Sequence, residues 1–241
     1  MKWLTKCLSE HPVRTERPRA GTPQVEELEA RRVLSASTFA VASGIINSPE
    51  NFGDFVAGEY YSLLGRAPDR AGFDNWVSRM QNGLAPEAVE AGFVASAEYV
   101  QNHGNEPVAW LDGVYHDLLN RAPDISGLDS WMADLANGAS SNDVALGIAT
   151  SVERESMVVE QDYELFLGRN ADPDGLAHWV NQMQQQGWTR ADVATDIAAS
   201  DEFFANSNND PGQFIINLYQ DALNRTPDQG EIDNWLAVYG E

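Results

Sequence analysis

Four copies of one residue pattern run through the chain, and their spacing limits the possible folds more than any other feature of the sequence. Tryptophan recurs at positions 76, 131, 179 and 235, in steps of 55, 48 and 56 residues. An arginine stands ten residues before each tryptophan, and a tyrosine stands six residues before each arginine. A Ser-x-Glu sequence also occurs four times. The repeated residues are Tyr60, Arg66, Trp76, Tyr115, Arg121, Trp131, Tyr163, Arg169, Trp179, Tyr219, Arg225, Trp235, Glu50, Glu98, Glu153 and Glu202. The sequence therefore predicts four similar stacked units.

The boundaries of the units follow from residues that begin helices. Ser37, Ala85, Ser140 and Thr189 each stand four residues before a repeated valine, and Ser and Thr are favoured helix N-caps. Pro86 suits the first position inside a helix. This phase predicts unit one at 37–84, unit two at 85–139, unit three at 140–188 and unit four at 189–241.

Each unit has the pattern of three helices. Helix one carries an i, i+4 apolar pair such as Val41 and Ile45, and helix two carries an apolar stripe. Gly65, Asn120, Gly168 and Asn224 stand where helix two should end, and these two residue types tolerate the left-handed conformation best. Asp69, Asp124, Asp172 and Asp228 stand where helix three should begin. Since strand patterns are absent, the predicted fold class is all-α.

The units alternate in length. The serine of Ser-x-Glu precedes the tyrosine by 12 residues in units one and three, and by 19 in units two and four. The extra residues, at 102–107 and 206–212, are rich in Asn, Gly and Pro and indicate loops. We therefore expect a doubled pair, with one helical lobe at 37–139 and a second at 140–241.

Charge divides the chain into two parts. Residues 1–36 hold 7 basic and 5 acidic residues, whereas residues 37–241 hold 8 and 32, which gives this body a net charge of −24. Such a body repels phosphate, so we expect no nucleic-acid partner. The sequence has no apolar run long enough for a membrane span. Its single cysteine, Cys7, leaves the body without disulfides.

The first 36 residues differ from the body and are predicted to be a targeting segment that is mostly disordered. Residues 11–24 are rich in Pro and Arg, which favours an extended chain. Residues 25–36 read VEELEARRVLSA. This string resembles the N-terminal VExLExRxxLSA motif of many planctomycete proteins thought to be exported or surface-associated. The resemblance implies an extracellular or cell-surface location.

The body resembles a known bacterial family. Residues 60–76 read YYSLLGRAPDRAGFDNW and residues 163–179 read YELFLGRNADPDGLAHW. Both are similar to the bacterial domain of unknown function 4214, and cyanobacterial phycobilisome linkers share the R-x-PD-x-x-G pattern. Unit four departs from it, because Glu231 replaces the glycine of the other units. The family occurs in secreted and surface proteins and has no established activity.

The repeated arginine is the first candidate for a site. Half of the eight body arginines occupy this position, just past helix two. An arginine there can cap helix carbonyls and pair with a carboxylate, and the Ser-x-Glu glutamate and the loop aspartate are the candidate partners. We favour this structural role. The alternative is an anion-binding site.

The aspartate loops are the second candidate. Calcium binds six to eight oxygen ligands, and Asp172 with Asp174 forms only a fragment of a calcium loop. We favour helix capping and expect no resident cofactor, and calcium binding stays the alternative.

The repeated tryptophans belong to apolar stripes and are expected in the core. Trp110 and Trp188 lie outside the repeat and are expected to be exposed contact residues.

These patterns predict a non-enzymatic, exported or cell-surface protein with a structural or protein-interaction role, whose partner is a surface protein or a glycan. No nucleophile motif, P-loop or dinucleotide fingerprint is present. Two alternatives stay open: a calcium- or glycan-binding surface module, and a glycan-processing enzyme that uses paired carboxylates.

Overall fold

A computed structural model describes the backbone of residues 25–240 and the side chains of residues 36–240. Within that part of the chain, fourteen α-helices and one π-helical segment account for the regular structure, and no strand occurs. The all-α prediction is confirmed. The predicted disorder of the leader concerns residues that lie mostly outside the described part.

The helices follow the predicted order of three in units one and three, and units two and four have four because helix two is divided there. They are α1 (Val25–Ile46), α2 (Pro49–Leu64), α3 (Arg70–Gln81), α4 (Pro86–Val94), α5 (Ala97–Asn102), α6 (Pro107–Leu119), α7 (Ile125–Ala136), α8 (Ser141–Ala149), α9 (Val152–Asp162), the π-helical segment Tyr163–Leu167, α10 (Pro173–Gln186), α11 (Arg190–Ala198), α12 (Asp201–Asn206), α13 (Pro211–Leu223) and α14 (Gln229–Tyr239).

The residues predicted to end helix two and to begin helix three do so in all four units. The residues after helix two have left-handed backbone, with φ values of 65, 53, 65 and 48° at Gly65, Asn120, Gly168 and Asn224. Each loop aspartate caps helix three by accepting a hydrogen bond from a backbone N–H three residues later. Ser140 and Thr189 each form a full capping box.

The first helix begins earlier than predicted. Ser37 was expected to cap it, but α1 starts at Val25 and Ser37 lies inside it. The physical reason is that no glycine or proline interrupts residues 25–43, so the helix continues through the end of the leader string.

Units two and four also differ in detail, because the extra residues split helix two into α5 with α6 and α12 with α13. Left-handed Asn105, Asn208 and Asn209 form the breaks.

The four units close into a ring. Helix two of each unit contacts helix two of the next unit: α2 meets α5, α6 meets α9, the π-helical segment meets α12, and α13 meets α2. The last of these contacts joins unit four to unit one. Helix two also packs against helix three of its own unit and helix one of the following unit, as α2 does with α3 and α4.

Helix α1 therefore completes unit four and not unit one. It packs against α11, α13 and α14. Its Val41 and Ile45 are buried in the same apolar cluster as Phe203 and Phe214 of unit four. At the corresponding position in the first half, α8 of unit three packs against α4 in the other cluster.

The two apolar clusters of the described residues thus do not coincide with the predicted lobes 37–139 and 140–241. One cluster spans residues 52–149, and the other combines residues 41–46 with residues 159–223. The reason is that helix one of a unit buries its apolar face against the preceding unit. None of the helices within residues 25–240 is long and apolar enough to cross a membrane.

Helices α1 and α14 approach each other closely where unit four meets unit one. A Cβ atom at Gly44 would overlap the Trp235 indole, with Cζ3 only 2.8 Å away. We predict that Gly44→Ala lowers the free energy of unfolding by about 1–3 kcal/mol, because the indole or the helix must shift. Urea denaturation followed by circular dichroism measures the change.

Gly58 offers a matched control. It lies in the exposed middle of α2, and nothing lies within 4 Å of a Cβ built there. Gly58→Ala should raise the free energy of unfolding by up to about 1 kcal/mol, because alanine favours the helix. If Gly44→Ala were also stabilising, the close approach would not constrain the ring.

Candidate functional site

The repeated arginines and glutamates meet across unit boundaries. Arg66 of unit one binds Glu98 of unit two through two hydrogen bonds, from Nε at 2.5 Å and Nη2 at 2.8 Å. The same bidentate pairing, here named the Arg–Glu clamp, joins units two and three and units three and four. It also joins unit four to unit one, because Arg225 binds Glu50 across 175 residues of sequence. The four pairs are Arg66–Glu98, Arg121–Glu153, Arg169–Glu202 and Arg225–Glu50.

Local backbone structure sets the direction of each repeated arginine side chain. The left-handed residue after helix two turns the chain back, and the Arg66 N–H donates to the Tyr60 carbonyl at 3.2 Å. The guanidinium then lies over the Tyr60 ring, 4.8 Å from its centroid. The same stacking occurs in the other three units at 4.8–5.1 Å. The tyrosines are buried, so they form a rigid platform for an exposed cation.

The serine of Ser-x-Glu aims each glutamate, a role that the spacing did not reveal. Each serine caps helix two by accepting a hydrogen bond from a backbone N–H three residues later. The glutamate is then the second residue of the helix, where the positive end of the helix dipole favours a carboxylate. The signal in the sequence was the strict two-residue interval between the cap and the acid.

Hydrogen bonds from arginine lower the pKa of all four clamp glutamates, against the opposing effect of burial. A glutamate whose pKa is lowered by folding stabilises the fold fully above its ordinary value, 4.5. This stabilisation is lost as pH falls through the folded-state pKa. The loop aspartates of units one to three lie 3.5–3.8 Å from the same guanidiniums and add a weaker contact.

Unit four carries a second carboxylate on its arginine. In units two and three, a Cβ atom at Gly127 or Gly175 would lie 2.7 Å from the tyrosine hydroxyl, so only glycine fits there. In unit four that position is Glu231, which reaches back to Arg225 at 2.6 and 2.8 Å. The Arg225 hydrogen bonds lower the pKa of Glu231 to about 2. Arg225, whose clamp joins unit four to unit one, therefore binds two glutamates.

The tryptophans behave partly as predicted. The repeated tryptophans are half-buried against the apolar clusters. In units two to four the indole N–H donates to the tyrosine hydroxyl at 2.8–3.1 Å. The prediction for Trp110 is wrong, because it is only 2% exposed and donates to the Val94 carbonyl. Trp110 stands five residues before Tyr115, as the buried Phe214 does before Tyr219, so it lies on the apolar face of α6. Trp188 is half-buried beside Trp179.

A buried charge cluster, which the sequence did not predict, joins units two, three and four. Glu90 is 2% exposed and binds Arg154 at 2.5 Å and Arg190 at 2.8 Å. Arg190 also donates to the Ala149 carbonyl at 2.6 Å. Burial works to raise the pKa of Glu90, but the two guanidiniums hold it below its ordinary value. The cluster occurs in one copy, so the repeat pattern carried no signal of it.

Two further acids lie near this cluster at one repeat position, directly before the repeated tyrosine. Burial raises the pKa of Glu59 to about 8 and that of Asp162 to about 7. Val114 and Leu218 occupy the same position in units two and four. The two acids therefore lie at apolar positions, which is why they tend to hold their protons.

The two candidate calcium ligands lie at the start of α10, where one of them serves as the helix cap. Asp172 caps α10, and its Oδ1 accepts a hydrogen bond from the Gly175 N–H at 2.9 Å. Asp174 is exposed in the first turn of the same helix. Among the described residues, no three His, Cys, Asp or Glu side chains are grouped so that they could hold a metal ion.

The clamp should contribute modestly to stability. We predict that Arg121→Ala lowers the free energy of unfolding by about 1 kcal/mol, because the pair is more than a third exposed and solvent screens it. Arg70→Ala is the control, since the Arg70 side chain is 95% exposed and should tolerate the change. Thermal unfolding measures both. Equal melting temperatures for the two variants would contradict a structural role for the clamp.

The buried cluster should contribute more. Glu90→Ala leaves the buried Arg190 and the half-buried Arg154 without their shared counter-ion, so we expect a loss of about 3 kcal/mol or more in the free energy of unfolding. A triple variant with Glu90→Leu, Arg154→Met and Arg190→Met should recover much of it, because the three charges of the cluster are removed together. Chemical denaturation measures both, and a triple variant as unstable as the single one would argue against this explanation.

Asp162 should make stability depend on pH. The unfolded group titrates near 3.8 and the folded one near 7, so stability should fall as pH rises through that interval. Asp162→Asn removes one titrating group and should flatten the slope of unfolding free energy against pH. The control, Asp174→Asn at an exposed position, should leave the slope unchanged. A slope unaltered by Asp162→Asn would show that Asp162 stays ionised in the fold.

The comparisons with known proteins agree with the repeat. The family model of Domain of unknown function (DUF4214) matches residues 47–103, 91–158, 155–207 and 199–238. The first match begins just before helix two of unit one and continues into unit two, which is also the phase in which the helices pack. Neither the curated proteins nor the solved structures contain a match to this chain. The four family matches cover most of the chain, and the protein belongs to the DUF4214 family.

Proposed function

We propose that this protein is a non-enzymatic, exported or cell-surface module with a structural or protein-interaction role. The observation that carries the proposal is the use of the repeated residues. Each repeated arginine and glutamate takes part in a clamp between neighbouring units, and each repeated tyrosine lies beneath the arginine. These chemically distinctive side chains therefore hold the ring together, as expected of a scaffold.

A shallow groove on unit three favours a protein partner. It lies between α9 and α10, encloses about 530 Å³, and is lined by Val152, Pro173, Leu176 and Val180 among others. The Val152 side chain is 55% exposed there. Exposed apolar surface of this kind is typical of contact sites between proteins.

The leader string and the charge support the location. Residues 25–36 resemble an export motif, and the body carries a net charge of −24. A strongly acidic surface keeps a protein soluble and discourages binding to nucleic acid and to anionic membranes. Both features suit a protein outside the cell.

The location is tested by surface protease accessibility of the tagged full-length chain. The double variant Leu28→Asp with Leu34→Asp alters the leader string, and Leu4→Asp is a control outside it. We expect protease to reach the wild type and the control but not the double variant. A wild-type chain that stays protected in intact cells would refute export.

The interaction role is tested by chemical cross-linking on the cells that produce the protein. Val152→Asp with Leu176→Asp places charge in the groove, and Val108→Asp is the control at another exposed valine, 49% exposed. The wild type and control should form the same cross-linked complex, and the double variant should lose it. If the double variant retained the complex, the groove would not be the contact surface.

A further inference from the structure

A pocket of about 370 Å³ lies where the four units converge. We name it the axial pocket. Its lining includes Phe52 of unit one, Pro86 of unit two, Phe166 of unit three and Arg190 of unit four. Its volume is in the range of pockets that bind small molecules, and most of its walls are apolar.

The polar residues of the axial pocket break the fourfold repeat. Arg154 occupies the position held by Asn51, Tyr99 and Phe203 in the other units. Arg190 also lacks a counterpart of the same type, since the corresponding residues are Thr38, Pro86 and Ser141. Asp162 shares its position with the acid Glu59 of unit one, whereas Val114 and Leu218 stand there in units two and four. Two departures from the repeat and an acid found in only two of the four units thus meet in one pocket.

Two buried polar atoms of these side chains have no partner. Arg190 is 6% exposed, and its Nε–H, a permanent donor, makes no hydrogen bond. Asp162 Oδ2 is withdrawn from solvent and also makes none. It can accept as a carboxylate oxygen, and also as the carbonyl oxygen when the proton of the neutral acid is on Oδ1. Buried polar groups are nearly always hydrogen-bonded, and an exception calls for a ligand or a water molecule. One donor and one acceptor in an apolar pocket require a complementary acceptor and donor.

The charge of a ligand decides whether it can supply this acceptor and this donor inside the axial pocket. An anion entering the axial pocket would approach the carboxyl groups of Asp54 and Asp162, which line it, in a body of net charge −24. A cation would approach the guanidiniums of Arg154 and Arg190. Either charge would also lose its hydration, which is costly in an apolar site. An uncharged group meets neither obstacle.

We propose that the axial pocket binds an uncharged amide joined to an apolar group, with the amide carbonyl accepting from Arg190 Nε and the amide N–H donating to Asp162 Oδ2. The apolar group packs against Phe52, Phe55 and Phe166. This is the chemistry of a small apolar amide and also of an apolar residue within a peptide. The inference does not depend on the groove between α9 and α10, so it can fail separately from the proposed function.

The test is titration of the ¹⁵N-labelled protein, followed by two-dimensional NMR, with three probes that share one phenyl group. N-acetylphenylalaninamide is neutral, N-acetylphenylalanine is an anion and phenethylamine is a cation. We expect the neutral probe to shift amide signals of residues 154–166 and 190–194 and to bind about tenfold or more tightly than the charged probes. A blocked pentapeptide with central phenylalanine, compared with the single amide, distinguishes a peptide from a small molecule.

Variants assign the contacts. Asp162→Leu removes the acceptor and should weaken the neutral probe about tenfold, the effect of one lost hydrogen bond. Glu59→Leu is the matched control, because it changes the acid at the same repeat position in unit one, and it should leave binding unchanged. Ala191→Phe fills the axial pocket and should abolish binding, with folding checked by thermal unfolding.

Three results would overturn the proposal. The absence of saturable shifts with the neutral probe would mean that only water satisfies the two atoms. Equal affinity for the three probes would overturn the charge argument. Unchanged binding by the folded Ala191→Phe variant would place the probe elsewhere. Should Asp162→Leu not fold, Asp162→Asn, which replaces the Oδ2 acceptor with an amide, takes its place.

Discussion

The contact between the Arg225 guanidinium and the Glu50 carboxylate is the one on which the ring depends. The other three clamps join side chains 32 or 33 residues apart, whereas this one joins side chains 175 residues apart. A bidentate pair fixes the relative orientation of two helices as well as their distance. The apolar clusters supply most of the stability, since exposed ion pairs contribute little. The clamps instead determine which faces of neighbouring units meet.

Unit four shows how the fold treats its closing contact differently. Bringing distant parts of a chain together costs more conformational entropy than joining neighbours. Arg225 is the one repeated arginine among the described residues that binds two glutamates, Glu50 and Glu231. The glycine that other units need beside their tyrosine is lost there, and a glutamate that holds the arginine in place is gained. A departure from the family pattern thus coincides with the place of greatest entropic cost.

Much of the fold could be predicted from local chemistry. The ends of helix two depended on Gly65 and Asn120, whose left-handed backbone is a property of the residue type. The partner of each arginine could be narrowed to a residue type but not to a unit. Glu50 is 16 residues from Arg66 and Glu98 is 32 residues from it, and sequence spacing does not reveal that the farther one is bound. Sequence spacing also does not show which unit helix one packs against. Helix one was assigned to its own unit, although it packs on the preceding one.

The residues that occur once were the least predictable. The buried cluster around Glu90 and the axial pocket beside Arg190 use positions that other units fill with apolar or small side chains. A charged residue in one copy of a helical pattern is usually on a solvated face, and only tertiary packing distinguishes the exception. Trp110 was misplaced because the tryptophan itself is not repeated, although its position on helix two is apolar in the other units, as at Phe55 and Phe214.

The position of α1 affects how the chain can fold during synthesis. Its apolar residues Val41 and Ile45 are made well before their partners in α13 and α14, which begin at Pro211 and Gln229. At typical translation rates the interval is roughly ten seconds or more. Throughout that time the α2–α8 half can acquire its core, while α1 presents an apolar face with nothing to cover it. Newly made chains are therefore at risk of aggregation until α13 and α14 have been made and can cover that face.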